Sequence, residues 1–189
     1  MQTAAAEEVM RKSKAGAGSA LDLSQLFQQH YPRIYNYLRY RVSAVEDVED
    51  LMGTIFEKAY THRNQYDPAK GAFSTWLFRI AHNELVNYYR KRKQYSTWEI
   101  GDEVPTDLTS SEPLPETQVI QKESLHQLLQ GLERLGERDQ EVISLKFAGK
   151  LSNKEIGEIM DLKEKTVSVV LLRAIRRLRQ LVEEEVSHE

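Results

Sequence analysis

The sequence predicts an all-α fold in which two small helical domains are joined by a flexible linker. Apolar residues recur every three or four positions along most of the 189-residue chain, and no stretch of useful length alternates as a strand would. From Ser96 to Thr117 this periodicity stops, and Gly, Pro, Ser, Thr and acidic residues accumulate. The predicted bounds are a disordered N-terminal extension at 1–20, a first domain at 21–95, a linker at 96–117 and a second domain at 118–189.

Composition narrows the class of protein. The chain has no cysteine, which excludes disulfides and thiolate zinc sites. Its N-terminus lacks the apolar segment of a secretory signal, and no apolar run reaches the roughly 20 residues that span a bilayer. A cytoplasmic location is therefore expected. The net charge of −3 does not by itself predict nucleic-acid binding. Basic residues, however, are concentrated at 90–93 and 173–179.

The first domain is predicted to contain three helices. In the first, an apolar stripe follows a plausible cap at Asp22 with Gln25 three residues later. The second helix has acidic residues in its first turn, which suit the positive end of a helix dipole. The predicted buried stripes are Leu23, Leu26, Phe27, Tyr31, Ile34, Tyr35 and Leu38 in the first helix, and Val48, Leu51, Met52, Ile55, Phe56 and Ala59 in the second.

The third helix, from about Ser74 to Lys93, is predicted to have a nucleic-acid-binding side. Aromatic residues that can stack on unpaired bases are interleaved with cations that can follow phosphates. The alternative is structural, since Trp76 suits a core and a basic helix end complements the dipole. The predicted buried stripe is Trp76, Leu77, Ile80, Ala81 and Leu85, and the opposite side carries Arg79, Asn83 and Arg90.

The second domain is predicted to end in a helix-turn-helix. Helices resume near Thr117 with one leucine face, Leu125, Leu128, Leu129, Leu132 and Leu135, and a break at Gly136 precedes a short helix from Asp139 to Phe147. After Gly149, Ser152 and Glu155 form a capping box for a helix from Asn153 to Met160. A short turn at Asp161 and Leu162 then leads to a helix from Lys165 to about Glu183.

The last helix separates into two sides at about 100° per residue. One side should pack on the preceding helices: Val167, Val170, Leu171, Ala174, Leu178 and Leu181. The other side is Lys165, Val169, Leu172, Arg173 and Arg176. A cationic side with two aliphatic members suits a major groove, where arginine reads guanine or holds phosphate and aliphatic groups touch thymine methyls. The alternative is an amphipathic helix with a solvated basic side.

Four segments resemble bacterial sigma factors of the extracytoplasmic-function (ECF) group. LFQQHYPRIYNYLRYRV resembles the opening of the family's domain two, and VEDVEDLMGTIFEKAY resembles the segment that docks on core RNA polymerase. GAFSTWLFRIAHNELVNYYRKRKQ resembles the part that melts and reads the −10 promoter element. The segment from Leu132 to Gln180 resembles domain four, which reads the −35 element. The short linker leaves no room for a domain three, as in that group.

The resemblance implies three sets of site residues. The polymerase-binding set is Glu46, Asp47, Asp50, Leu51 and Phe56. The −10 set is Trp76, Arg79, Asn83, Asn87, Arg90, Lys91, Arg92 and Lys93. The −35 set is Lys165, Thr166, Ser168, Val169, Leu172, Arg173 and Arg176. The chain departs from the family at Gly53 and Thr54, where a Gln and an acid are usual, and at Ser168 to Val170, which are less basic than is common.

The expected function is therefore that of a promoter-specificity sigma factor that directs core RNA polymerase to −35 and −10 elements and initiates melting. The expected partners are core polymerase (the clamp of its largest subunit and the flap region), promoter DNA and an anti-sigma factor that could be membrane-anchored. No catalytic residue, metal, cofactor or small-molecule substrate is expected, and the protein is not expected to be an enzyme.

Two other functions fit parts of the sequence. A helix-turn-helix transcriptional regulator with an N-terminal sensing or interaction domain would explain the second half alone. A helical metal-dependent hydrolase would use the acids at 46–50 and the five histidines. The absence of an HExxH motif and of a His-Asp dipeptide disfavours the hydrolase.

Overall fold

The computed structural model describes residues 23–96 and 127–186, and within these ranges every regular element is a helix. The predicted all-α class with two helical domains is confirmed. The chain divides into two compact units, Met1–Pro105 and Thr106–Glu189. The first contains α1 (Leu23–Arg39), α2 (Val45–Thr61), a 3-10 turn (Arg63–Gln65) and α3 (Phe73–Ser96), and the second contains α4 (127–133), α5 (Glu137–Ile143), a π turn (Ser144–Ala148), α6 (Asn153–Met160) and α7 (Glu164–Val186).

In the first unit, α2 packs against both α1 and α3. All six residues of its predicted stripe are buried. The predictions for α1 and α3 were partly wrong, because Tyr37 and Phe78 are fully buried whereas Trp76 and Ile80 are only half-buried. The rings of Tyr37 and Phe78 meet edge to face at 5.6 Å, so the buried side of α3 includes Phe78, which the predicted stripe omitted.

In the second unit, α7 packs against α5 and α6. The core combines residues from every helix of the unit: Leu132, Leu135, Val142, Leu145, Ile156, Val167 and Ala174. The predicted short helix begins two residues earlier than expected, at Glu137, and ends in the π turn. There the amide of Gly149 donates to the carbonyl of Ser144 at 2.9 Å, and the widened turn ends at the glycine that was predicted as a break.

Some predictions lie outside the described residues. These are the N-terminal extension at 1–20, the cap at Asp22, the leucine at 125 and the linker beyond Ser96. Helix α3 extends to Ser96, three residues past its predicted end. Among residues 23–96 and 127–186, no helix combines the length and apolar character needed to cross a membrane.

Candidate nucleic-acid interfaces

Helix α6 begins at a capping box and ends at a turn with a close backbone approach. The hydroxyl of Ser152 accepts from the amide of Glu155 at 3.2 Å, and the Glu155 carboxylate accepts from the amide of Ser152 at 2.8 Å, so the predicted box is confirmed. At the other end of α6, Asp161 adopts a left-handed conformation with φ of 54°. The amide of Leu162 then donates to the carbonyl of Gly157 at 2.8 Å. A Cβ at Gly157 would lie 2.5 Å from the carbonyl oxygen of Leu162, so only glycine fits there.

A chain of hydrogen bonds fixes α7 against α6 and the π turn. The ammonium of Lys146 donates to the side-chain carbonyl of Asn153 at 2.9 Å. The amide of Asn153 donates to the hydroxyl of Ser168 at 2.9 Å, and that hydroxyl donates to the carbonyl of Glu164 at 3.1 Å. The single proton of the Ser168 hydroxyl is therefore already used inside the protein.

One stripe of α7 is exposed and has cations at both ends. We call Lys165, Val169, Leu172 and Arg176 the outer stripe; they lie four, three and four residues apart, and all are exposed. Val169 keeps 67% of its surface exposed and Leu172 keeps 53%. On the opposite side, the predicted packing residues Val167, Val170 and Ala174 are buried, while Leu171, Leu178 and Leu181 are half-buried, as is Thr166 of the −35 set.

Arg173 was predicted as a DNA contact, but it also has a structural partner. Its guanidinium lies 3.2 Å from the carboxylate of Asp139, whose side chain is only 7% exposed, while Arg173 itself remains 62% exposed. A carboxylate this far from water requires a compensating partner. Sequence periodicity had given no sign of this pair, because the two residues lie 34 positions apart.

In the first unit, the predicted polar side of α3 is exposed. Arg79, Asn83, Arg90, Lys91, Arg92 and Lys93 all face solvent. Asn87 is half-buried and accepts from the Arg90 guanidinium at 3.1 Å. Trp76 is half-buried, with its ring centroid 5.6 Å from Tyr66 and 5.4 Å from Phe73, so part of it belongs to an aromatic cluster and part remains accessible.

Tyr88, one of the aromatic residues interleaved with the cations of α3, links α3 to α2. The hydroxyl of Tyr88 donates to the carboxylate of Asp47 at 2.7 Å and accepts from Arg92 at 3.2 Å. Burial, together with the hydrogen bond to Asp47, raises the pKa of Tyr88 to about 12. The next residue, Tyr89, donates to the backbone carbonyl of Arg41. Near the other end of α2, Lys58 forms an ion pair with Glu84 at 2.7 Å.

The five residues predicted to bind polymerase differ in exposure. Glu46 and Asp50 are exposed and Asp47 is half-buried. Leu51 and Phe56 are buried in the core, and the Phe56 ring packs 5.2 Å from Phe27. Burial leaves these two side chains little surface for direct contact with a partner, and both belong to the core that holds α2 in place.

Two histidines of the described part, His30 and His62, have hydrogen-bond partners next to them on the same helix. Burial, and then the Arg33 guanidinium, lower the pKa of His30. The ring of His62 bonds its own helix at the carbonyl of Lys58, at 2.8 Å. Within residues 23–96 and 127–186, no group of three His, Asp or Glu residues is placed to hold a metal ion.

Comparison with known proteins assigns each unit to a region of one protein family. Residues 26–95 match the family described as Sigma-70 region 2, and residues 131–180 match Sigma-70, region 4. The chain is 30% identical over 154 residues to the ECF RNA polymerase sigma factor SigW of Bacillus subtilis, covering 82% of that protein. The chain belongs to the ECF sigma factors of the sigma-70 family. Its function is that of a sigma factor, a DNA-binding factor for transcription initiation.

Other similar proteins carry the same description. The ECF sigma factor SigM of Bacillus subtilis is 29% identical over 170 residues, which are 89% of this chain and all of SigM. The ECF sigma factor BldN of Streptomyces coelicolor is 28% identical over 91% of this chain, and the chain spans only 64% of BldN.

Solved structures share the fold of this sigma factor. The sigma factor RpoE from Bartonella quintana, in complex with the anti-sigma factor NepR, gives a TM-score of 0.69 at 22% identity and covers 86% of this chain and 97% of its own. CnrH, in complex with the cytosolic domain of CnrY, gives a TM-score of 0.64 at 21% identity. The match covers 95% of this chain and 98% of the CnrH chain.

Proposed function

We propose that this sigma factor docks on core RNA polymerase through the acidic side of α2, reads and helps to open the −10 element with α3, and reads the −35 element with α7. We assign the first two roles to a domain at 21–95 and the third to a domain at 118–189, joined by 96–117. The observation that carries the proposal is common to both units. The long helix of each unit, α3 or α7, buries one side and exposes another side whose side chains suit nucleic acid. The protein acts by binding and not as an enzyme.

The −10 role is supported by the polar side of α3. Asn83 is exposed, and its amide can donate to and accept from the edge of an unpaired base. The consecutive cations from Arg90 to Lys93 can hold the phosphates on either side of an extruded base. Trp76, about 10 Å from Asn83 along the helix axis, is half-buried and can offer the accessible part of its ring to a base. Extrusion of a base costs a few kcal/mol, which such contacts can offset.

The polymerase-binding role is supported by exposed acid in the first turns of α2. Glu46 and Asp50 face solvent, and Asp47 lies at the boundary with α3. Acid arranged in this way complements a basic helical partner, which we propose to be the clamp of the largest polymerase subunit. The family's usual Gln is Gly53 here, and the hydroxyl of Thr54 bonds the carbonyl of Asp50 at 3.0 Å, so the contacts at these positions differ from those of relatives. We place the flap region against the second domain.

Regulation by an anti-sigma factor is part of the proposal. Two solved sigma factors of the same fold are complexes with such partners, NepR and the cytosolic domain of CnrY. We propose that a comparable partner, which could be membrane-anchored, covers the polymerase- and DNA-binding sides of this chain in the cytoplasm. Affinity purification from the native host should recover core polymerase and a small partner, and adding that partner should stop transcription by the reconstituted holoenzyme. Recovery of neither protein would contradict the proposal.

The decisive experiment is run-off transcription with core polymerase on DNA from the native genome. Asn83→Ala should lower open-complex formation by roughly tenfold, the value of one good base contact. Asn36→Ala is the matched control, because it removes an exposed asparagine from α1 and should leave initiation unchanged. Failure of the wild-type protein to bind core polymerase or to initiate on any of this DNA would overturn the proposal.

A gel shift separates this function from that of an ordinary helix-turn-helix regulator. The sigma factor should bind duplex DNA weakly alone and tightly with core polymerase. Equal binding with and without core polymerase would favour the regulator.

A further inference from the structure

Two polar side chains of the proposed −35-reading helix, Ser168 and Arg173, already have partners within the protein. The proton of the Ser168 hydroxyl is donated to Glu164, and its oxygen accepts from Asn153. The guanidinium of Arg173 is engaged with the buried carboxylate of Asp139. The Ser168 hydroxyl and one nitrogen of the Arg173 guanidinium are therefore already bonded within the protein, which limits the hydrogen bonds that they can offer to base edges.

Apolar surface occupies the middle of the outer stripe instead. Val169 and Leu172 are adjacent on one side of α7 and are 67% and 53% exposed. Val169 lies four residues after Lys165, and Leu172 lies four residues before Arg176. The two exposed aliphatic side chains are therefore flanked by cations of the same stripe. These cations lie eleven residues apart, which is about 16 Å along the helix. That separation is comparable to the width of a major groove, about 12 Å, so both cations can reach phosphates at its two edges.

On the basis of the proposed −35 role of α7, we infer that Val169 and Leu172 read thymine C5-methyl groups at one or two adjacent positions of the −35 element. The order cation, aliphatic, aliphatic, cation matches a duplex, whose major groove has phosphates at both edges and exposes thymine methyls on its floor. The thymine methyl is the apolar feature that a base pair presents in the major groove. This −35 helix thus obtains part of its specificity from methyl contacts rather than from hydrogen bonds alone.

The test removes the methyl from DNA without altering base pairing. Holoenzyme is first used to select binding duplexes from a library with a randomised −35 segment. Selected duplexes are then synthesised with deoxyuridine in place of thymidine, one −35 position at a time. Each methyl contact buries about one CH₂ equivalent, so the affinity of the wild-type holoenzyme should fall about fourfold at one or two adjacent positions.

Protein variants assign the effect to the two side chains. In the Val169→Ala and Leu172→Ala double variant, the deoxyuridine penalty should disappear, because the partner of the methyl is gone. Both side chains are exposed, so the variant should melt at the wild-type temperature. Ile175→Ala is the matched control: it removes an aliphatic group that is 39% exposed on the same helix but outside the outer stripe, and it should keep the full penalty.

The failures of this inference and of the proposed function can be told apart. If scrambling the whole −35 segment leaves holoenzyme binding unchanged, α7 does not read that element and the proposed function fails. If scrambling matters but no deoxyuridine position does, or if the double variant keeps the penalty, the methyl contact is overturned. The methyl contact is likewise overturned if the double variant alters only self-association or binding to another protein.

Discussion

The long helices of the two units, α3 and α7, expose very different surfaces. The exposed surface of α3 is mostly polar, with Asn83 and four consecutive cations beside one exposed aliphatic residue, Val86, and Trp76 is half-buried. The exposed side of α7 has aliphatic residues between two separated cations, and its arginine at 173 is tied to Asp139. A side rich in mobile charge suits a flexible single strand, whereas a rigid, partly apolar side suits a duplex groove.

The contacts inside the two units also differ in kind. The turn of the second unit depends on a backbone approach that admits only glycine, at Gly157. The first unit joins α2 to α3 by side-chain contacts, Tyr88 with Asp47 and Lys58 with Glu84. The second unit also depends on the buried carboxylate that Arg173 pairs with, so substitutions at Gly157 and Arg173 should cost it more than the loss of Tyr88 costs the first unit. The following four predictions test this contrast, in order of decreasing effect.

Gly157→Ala should have the largest effect. Its methyl would meet the Leu162 carbonyl at 2.5 Å, so the turn must shift, and overpacking of this kind costs about 1–3 kcal/mol. We expect a large loss of −35 binding and a lower melting temperature for the second unit only, measured by gel shift and calorimetry. Gly71→Ala is the control, since a Cβ there meets nothing within 4 Å. A stable Gly157→Ala variant with normal binding would disprove the role of the close approach.

Arg173→Ala should destabilise the second unit and weaken −35 binding. It leaves the buried carboxylate of Asp139 without its ion-pair partner, which costs about 1–3 kcal/mol. Adding Asp139→Asn should restore much of the stability, measured by urea denaturation, because the buried charge is removed. If Arg173 also touches DNA, binding stays weak in the double variant. Full recovery of binding would show that the arginine only positions α7.

Tyr88→Phe should cost the first unit about 1 kcal/mol, the net value of one hydrogen bond. Because the folded-state pKa of Tyr88 is raised to about 12 from 10, its protonated form stabilises the folded state below about pH 10. That contribution is lost as pH rises through 12. Unfolding measured from pH 8 to 12 should therefore show the difference between wild type and variant shrinking at the alkaline end. A constant difference would exclude the bond to Asp47 as its source.

Lys91→Ala should have the smallest effect. Removing one cation that holds a phosphate of a single strand lowers the slope of log affinity against log salt by about 0.7, with no change in sequence preference. Lys70→Ala, an exposed lysine in the loop before α3 that pairs with Asp67, is the control. Val169→Ala, by contrast, should change base preference and leave the salt slope intact. If Lys91→Ala altered sequence preference, the contrast between the two surfaces would fail.

The sequence determined the features that depend on near neighbours along the chain. The bounds of α6 are those that the capping box and the apolar period predict, and the buried stripe of α2 follows the period residue by residue. The exposed sides of α3 and α7 were also predictable, because a helix that buries one side exposes the other. The four resembling segments, in their order along the chain, indicated the family.

Only the tertiary structure decided which side chains are committed to the protein itself. Asp139 meets Arg173 across 34 residues, and Asp47 meets Tyr88 across 41. Phe78 is buried against Tyr37 of another helix, whereas Trp76 is half-buried beside Tyr66 and Phe73. Periodicity reports which side of a helix is buried, but pairing between helices depends on their packing, which no local pattern encodes. Packing thus leaves Val169 and Leu172 as the open centre of the outer stripe.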